Sequence, residues 1–191
     1  MTDALLNHIS RYISLPEESA GEISVFFTPL SLRKKENLME AGQVCRNHYF
    51  VVKGCLRLFF IDEKGIEQTI QFALENWWLA DYTSFSNQKP SAFFIQAIEK
   101  SEVLAIDVHA QERMLQQFPV LERYFRIIHQ RAHAAAQYRQ QYTHDMTREE
   151  MYLHFAQSYP EFVQRVPQYL LASFLGFTPE YLSEIRSRNR S

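Results

Sequence analysis

The chain from about residue 30 to residue 106 has the composition and spacing of short β-strands. Stretches such as 49–53, 55–61 and 68–73 are rich in β-branched and aromatic residues, and turn sequences containing glycine or proline separate them. Because no helical pattern lies between these stretches, roughly seven or eight strands must pair with near neighbours. The block is therefore predicted to form an antiparallel barrel, roll or jelly roll within an α+β protein.

The segment before the strands predicts a short amphipathic helix over residues 2–13, with Leu5, Ile9 and Ile13 on one face. Pro16 favours a further turn or two of helix. No basic stretch followed by an apolar core begins the chain, and no apolar run approaches the length that spans a bilayer. We expect a soluble, cytoplasmic protein without a membrane partner.

Residues 110–142 are predicted to form one long helix. Apolar side chains follow one another in steps of four and three, and only Arg139 breaks the series. This stripe could pack in a groove on the β-block of the same chain, but its charged flanks favour pairing with a second copy. We expect a homodimer. The predicted interface residues are Leu121, Phe125, Ile128, Ala132, Ala135 and Tyr142.

A second, smaller unit is predicted after residue 145, which divides the chain into domains 1–145 and 146–191. Thr147 and Glu150 have the spacing of a capping box, which begins a helix that stops before Pro160. A short extended piece is expected around residues 162–166. Residues 1–107 hold 10 basic and 14 acidic side chains, whereas residues 108–191 hold 10 and 8. The second half is the more basic one, and all its basic side chains are arginines.

Residues 168–186 have the pattern of a helix-turn-helix. Ala172 allows the second helix to cross the first closely, and Gly176 supplies the backbone freedom for the turn. Thr178 and Pro179 are suited to the N-cap and the first position of the second helix. Apolar residues recur at the spacing of two packed helices, at Leu171, Leu175, Phe177, Leu182 and Ile185.

Polar side chains remain for the outer face of the second helix. An ordinary helical hairpin is the alternative, but seven positions of the pattern agree at once, so DNA binding is the favoured interpretation. Glu184 is the best candidate for reading a base, while Arg186, Arg188 and Arg190 are expected to meet phosphates. The predicted DNA-binding residues are Thr178, Glu180, Tyr181, Ser183, Glu184, Arg186, Ser187 and Arg188.

The complete order of elements resembles the Crp/Fnr family of bacterial transcription regulators. The likeness covers essentially the whole chain and rests on residues 42–45, 49–57, 101–106 and, most specifically, 171–186. The resemblance implies a jelly-roll-like, cyclic-nucleotide-binding-type β-roll, a long dimerisation helix and a small C-terminal winged helix-turn-helix domain. It also implies a homodimer bound to a two-fold symmetric DNA site, with RNA polymerase as a further candidate partner.

One departure from the family pattern concerns the phosphate of the cyclic nucleotide. The resemblance places the family's phosphate-binding turn at residues 78–81 and puts Ser91 where the phosphate-binding arginine belongs. Between residues 65 and 99 the only basic side chain is Lys89. Losing a charge-assisted hydrogen bond to a buried phosphate costs several kcal/mol, so we expect no binding of cyclic AMP or cyclic GMP in the family's usual way.

The same region supports two interpretations. In one, it holds a less charged effector, with indoles as stacking surfaces and Asp81 as a polar anchor. In the other, the aromatic side chains simply fill the roll, and no effector exists. The candidate pocket residues are Trp77, Trp78, Asp81, Tyr82, Ser84, Phe85 and Ser91.

The sequence gives little support to an enzymatic function. The motifs of serine hydrolases and phosphate-binding loops are missing, and no cofactor is implied. His129 and His133 have metal-ligand spacing but no third ligand at a recognisable distance, so a solvated or interface face is favoured. A regulatory or small-ligand module with weak or lost DNA binding remains the alternative. Few residues follow the recognition helix, and we expect the family's hairpin wing there to be missing.

Overall fold

The computed structural model describes residues 1–16 and 18–188 and contains two four-stranded antiparallel sheets. The first sheet has the order β1-β8-β3-β6 and the second β2-β7-β4-β5. The strands are β1 Thr28–Leu32, β2 Asn37–Met39, β3 Asn47–Lys53, β4 Leu56–Ile61, β5 Glu67–Ala73, β6 Trp78–Leu79, β7 Phe94–Ala97 and β8 Ser101–Asp107. The mixed α+β class and the antiparallel roll predicted from the sequence are confirmed.

Alternation of side chains along the strands separates two cores. Tyr49 and Val51 of β3 point between the sheets, where they meet Leu56 and Leu58 of β4. Phe50 points to the outer side of the first sheet, which is covered by helices. The period of two along a strand explains this division. The roll therefore has a filled interior and a second apolar layer outside it.

The helices are α1 Thr2–Ser10, α2 Ser19–Ser24, α3 Tyr82–Asn87, α4 Val108–Gln117, α5 Val120–Asp145, α6 Arg148–Ser158, α7 Pro160–Arg165, α8 Gln168–Leu175 and α9 Pro179–Arg188. Leu5, Ile9 and Ile13 are buried together, in the apolar layer that α1, α4 and the first part of α5 form on the first sheet, but α1 ends at Ser10 and not at residue 13 as predicted. None of the helices described here is both long and apolar enough to cross a bilayer.

Three further local predictions were wrong. The single helix over 110–142 is interrupted at Phe118, whose backbone leaves the helical region because Pro119 follows it. The extended piece expected around 162–166 is the helix α7, which begins with Pro160 at a position where no amide donor is needed. The roll also contains one short helix, α3, between β6 and β7.

The C-terminal helices form a third apolar cluster that includes side chains of the roll. Leu171, Leu182 and Ile185 pack with Phe72 of β5. The capping box of Thr147 and Glu150 is present, with both reciprocal hydrogen bonds. Packing therefore holds the C-terminal helices against the second sheet, and the capping box stabilises the start of α6.

The edge strand β5 makes specific contacts with these helices. Ser173 Oγ accepts from the amide of Thr69 and donates to the carbonyl of Glu67, each over 2.8 Å. Arg139 donates to the carbonyl of Ile70 over 2.6 Å and also to the carbonyl of Phe174. Polar groups that an edge strand leaves open thus become the docking points of α8 and α5.

Candidate nucleic-acid interface and effector pocket

The turn between α8 and α9 has the backbone geometry that its sequence predicts. Gly176 ends α8 with φ +75°, in the left-handed region that a residue with a Cβ rarely adopts. The hydroxyl of Thr178 accepts from the amide of Tyr181 over 3.2 Å, and Pro179 is the first residue of α9. Ala172 is fully buried where α9 crosses α8. Each residue singled out for the turn has the local role that we expected.

The outer face of α9 carries the residues nominated for DNA contact. Thr178, Glu180, Ser183, Glu184, Ser187 and Arg188 are exposed, whereas Tyr181 and Arg186 are half-buried. Glu184 forms an ion pair with Arg188 one turn further along the helix. Arg190 lies outside the described residues. The face therefore offers hydroxyls, two carboxylates and two guanidinium groups to a partner.

The candidate pocket residues separate into an outer and an inner group. Trp77 is 51% exposed, and the buried indole of Trp78 packs in the apolar layer outside the first sheet. Its Nε1 donates to the hydroxyl of Tyr124 on α5 over 2.8 Å. Tyr82 and Phe85 lie with the core between the sheets. Trp78 thus packs with a different core from Tyr82 and Phe85, and the His48 ring contacts all three.

Asp81 and Ser91 are in direct contact. One carboxylate oxygen of Asp81 caps α3 by accepting from the amides of Thr83 and Ser84, and the other accepts from Ser91 Oγ over 2.7 Å. Ser84 Oγ accepts from the amide of Cys45 over 2.8 Å. The first amides of α3 thus point at a carboxylate of this chain. An anion placed there would meet like charge rather than free donors.

A buried histidine that the sequence did not single out joins three elements. His48 of β3 lies 3.1 Å from the hydroxyl of Tyr82 on α3 and 3.1 Å from Oε1 of Gln111 on α4. Its ring is tilted against that of Trp78, with the ring centroids 4.4 Å apart, and is stacked with that of His129. Burial lowers the pKa of His48 to about 3, so the imidazole is neutral at ordinary pH. The signal in the sequence that could have identified His48 is a single histidine within an apolar strand.

The stripe along α5 is divided between two environments. Leu121 is 0% exposed and Phe125 is buried, both against the roll of the same protomer, and Ile128 is half-buried beside them. Ala132 and Ala135 are exposed, and Tyr142 is half-buried. Arg139, which breaks the apolar series, reaches the carbonyls of β5 and α8, and its guanidinium lies 3.9 Å from the centroid of the Phe174 ring. Arg139 therefore interrupts the apolar series because its side chain contacts the C-terminal helices.

Residues 29–118 match the family described as "Cyclic nucleotide-binding domain". Over this segment the chain is similar to that family. The segment spans β1 to α4, with the roll, α3 and the Asp81–Ser91 contact. No protein in a comparison with curated sequences matches the chain.

The fold of the whole chain is that of Crp/Fnr-type transcription regulators, as the resemblance implied. The c-di-GMP responsive global regulator CLP of Xanthomonas campestris is 13% identical, with a TM-score of 0.72 and 92% of each chain covered. CooA of Carboxydothermus hydrogenoformans is 17% identical, with a TM-score of 0.70 over 92% of this chain and 81% of its own. FixK2 of Bradyrhizobium japonicum is 18% identical, with a TM-score of 0.69 over 85% and 83%. At these identities the likeness establishes the fold alone.

The burial of His48 predicts an acid-sensitive fold. Because its pKa is lowered on folding, the unfolded chain binds a proton that the fold excludes, and stability falls as the pH drops below about 6.5 towards 3. Between pH 7 and pH 5 this group removes roughly 2 kcal/mol from the free energy of unfolding. In urea unfolding at both pH values, His48→Gln should lack this loss, and the exposed control His109→Gln should keep it. An equal loss in wild type and His48→Gln would contradict the assignment.

Proposed function

We propose that this protein is a DNA-binding transcription regulator that acts as a homodimer on a palindromic operator. The observation that carries the proposal is the α8–α9 pair, with its left-handed Gly176 and its polar outer face on α9. Residues 146–191 act as the DNA-binding domain, and residues 1–145 act as the regulatory and dimerisation domain. On this proposal the protein works in the bacterial cytoplasm, with DNA and RNA polymerase as its macromolecular partners.

The two ends of the recognition helix are proposed to contact different parts of the DNA. The N-terminal part of such a helix enters the major groove, which nominates Thr178, Glu180 and Tyr181, followed by Ser183 and Glu184. A carboxylate is repelled by phosphates, so Glu184 is suited to a cytosine amino group or to an arginine neighbour. Its ion pair with Arg188 shows that the second arrangement is available without DNA. Arg186 and Arg188 are proposed to contact phosphates.

The proposal of a homodimer rests on a largely exposed stretch of α5, in which His129 contacts the His48 ring and Arg131 contacts Tyr12. From residue 129 to residue 138 every side chain except Ala134 is exposed, and Tyr138 is 60% exposed. Isolated helical segments of this length are marginal, since packing supplies most helical stability in proteins. Ala132 and Ala135 let a partner helix approach closely, and Tyr138 takes the place in the seam that Arg139 leaves. Because Leu121 and Phe125 are buried within the protomer, the proposed contact between protomers begins at Ile128.

We further propose that cyclic AMP is not the effector. Ser91 replaces the phosphate-binding arginine, and its hydroxyl is engaged by Asp81 at the start of α3. A cyclic phosphate in this place would lack a charge-assisted hydrogen bond and face the Asp81 carboxylate, which together cost several kcal/mol. Apolar side chains from the β6–α3 segment, including Leu79 and Phe85, occupy the core between the sheets. An effector of this roll must therefore be less charged than a cyclic nucleotide.

Unbiased selection of DNA fragments by the purified protein tests the main proposal. We expect enrichment of a palindrome, and we expect dependence on added cell metabolite extract if the roll uses an effector. A protein that enriches no sequence in either condition would favour the alternative, a regulatory module without DNA binding.

Calorimetric titration tests indifference to cyclic AMP. No heat of binding is expected at ordinary ligand concentrations, because the phosphate would lack its counter-charge. The same titration of Ser91→Arg examines whether that one side chain restores affinity. Micromolar affinity of the wild-type protein would overturn the proposal and imply a rearranged phosphate site.

Charge placed on the proposed seam should separate the protomers. Ala132→Glu and Ala135→Glu each bring two like charges together near the symmetry axis, so both variants should sediment as monomers at micromolar concentration. Gln137→Glu adds the same charge on the opposite side of α5 and should remain dimeric. A wild type that is monomeric at high micromolar concentration, or seam variants that stay dimeric, would refute the interface.

Substitutions on α9 should distinguish base reading from phosphate contact. Glu184→Ala should change the preferred base at one position per half-site by roughly 1–3 kcal/mol. Arg188→Ala should weaken binding to all sequences alike and reduce the salt dependence. Glu161→Ala removes an exposed carboxylate from α7 and serves as the control. Unchanged preference and affinity in Glu184→Ala, with tight wild-type binding, would show that another face reads the DNA.

A further inference from the structure

The turn between β1 and β2 carries three consecutive basic residues, Arg33, Lys34 and Lys35, and all three are exposed. They stand out because residues 1–107 are acidic in balance. The ion pairs among the described residues involve none of their side chains. Their charges are therefore available to a partner.

The turn is held in a fixed shape by backbone contacts. Lys35 has a left-handed backbone with φ +68°, and its amide donates to the carbonyl of Ala97 over 2.7 Å. The carboxylate of Glu36 accepts from the amide of Arg33 over 2.8 Å, which keeps it at the backbone. With Glu36 counted, the turn still has an excess of two positive charges. A fixed backbone in the turn reduces the conformational entropy cost of binding.

The position of the turn relates it to the recognition helix. Lys35 and Gln96 form one wall of a cleft of about 620 Å³ between the second sheet and the C-terminal helices. Tyr169, Phe177 and Pro179 line the same cleft. Pro179 begins α9, and this is the end of a recognition helix that enters the major groove. The basic turn therefore lies beside the proposed path of the DNA.

The net charge of α9 bears on the role of the basic turn. Among its described residues, Glu180 and Glu184 balance Arg186 and Arg188. The two carboxylates offset the attraction of the two guanidinium groups for DNA, so basic side chains outside α9 would add to the phosphate neutralisation on which affinity depends. Lysine is suited to this task as a mobile point charge, and arginine can pair with a phosphate in a bidentate manner.

We propose that the turn of residues 33–35 binds backbone phosphates of the DNA flanking each half-site. The inference rests on the proposed function, and it gives the β-roll a direct part in holding DNA. Contacts of this kind carry no base preference, so the turn sets affinity and salt dependence while α9 sets sequence.

Salt-dependent binding of the selected operator tests the proposal. In the variant Arg33→Gln, Lys34→Gln, Lys35→Gln, each protomer neutralises one phosphate fewer, which lowers the slope of log K against log salt by about 1.8 for a dimer. When the salt is raised from 50 to 200 mM, the affinity of the variant for DNA should drop by a factor about ten times smaller than the affinity of wild type. The order of preferred sequences should stay the same.

The matched control removes three exposed basic side chains that do not line this cleft, in the variant Arg11→Gln, Arg46→Gln, Lys89→Gln. Both variants change net charge equally, so a slope that falls only in the 33–35 variant supports the proposal. The variant Arg33→Gln, Lys34→Gln leaves the strained Lys35 in place and guards against a folding defect. A wild type that binds its operator while the 33–35 variant matches the control overturns the inference alone. A wild type that binds no DNA overturns the proposed function as well.

Discussion

The open backbone edge of β5 is the feature on which the arrangement of this molecule depends. An edge strand presents unpaired amides and carbonyls, which must be covered or hydrated. Here Ser173 of α8 binds one amide and one carbonyl, and Arg139 of α5 binds the carbonyl of Ile70. Because these contacts are directional, they fix α8, and α9 through it, relative to the roll. The exposed face of α9 follows from that placement.

An ion-pair group at the other end of β5 supports the same docking. Arg165 of α7 pairs with Glu75 over 2.7 Å and with Glu99 of the roll. The guanidinium of Arg165 and an amide hydrogen bond from Gly54 act against burial and lower the pKa of Glu75 to about 2. The carboxylate is therefore charged throughout the ordinary pH range. Ionic contacts and the Ser173 hydrogen bonds together define one orientation of the C-terminal helices.

The roll is similar in architecture to a cyclic nucleotide-binding domain, and its polar centre is built around a carboxylate. In place of a basic side chain poised for a phosphate, Asp81 closes the start of α3 and holds Ser91. The adjacent His48 connects α3 to α4 through Tyr82 and Gln111. Since His48 is buried and neutral, this connection is made by hydrogen bonds rather than by charge. A displacement of α3 would be transmitted to α4 through Tyr82, His48 and Gln111, which are already in contact.

Local and periodic patterns determined much of this protein from the sequence by itself. The strand-rich block, the capping box at Thr147 and the turn at Gly176 and Thr178 depend on residues close together in the chain. Only the tertiary structure decided which half of the α5 stripe is buried and where the side chain of Arg139 goes. The same holds for the Asp81–Ser91 contact and for the nearness of Lys35 to Pro179. These depend on packing between residues far apart in the chain, to which no spacing rule applies.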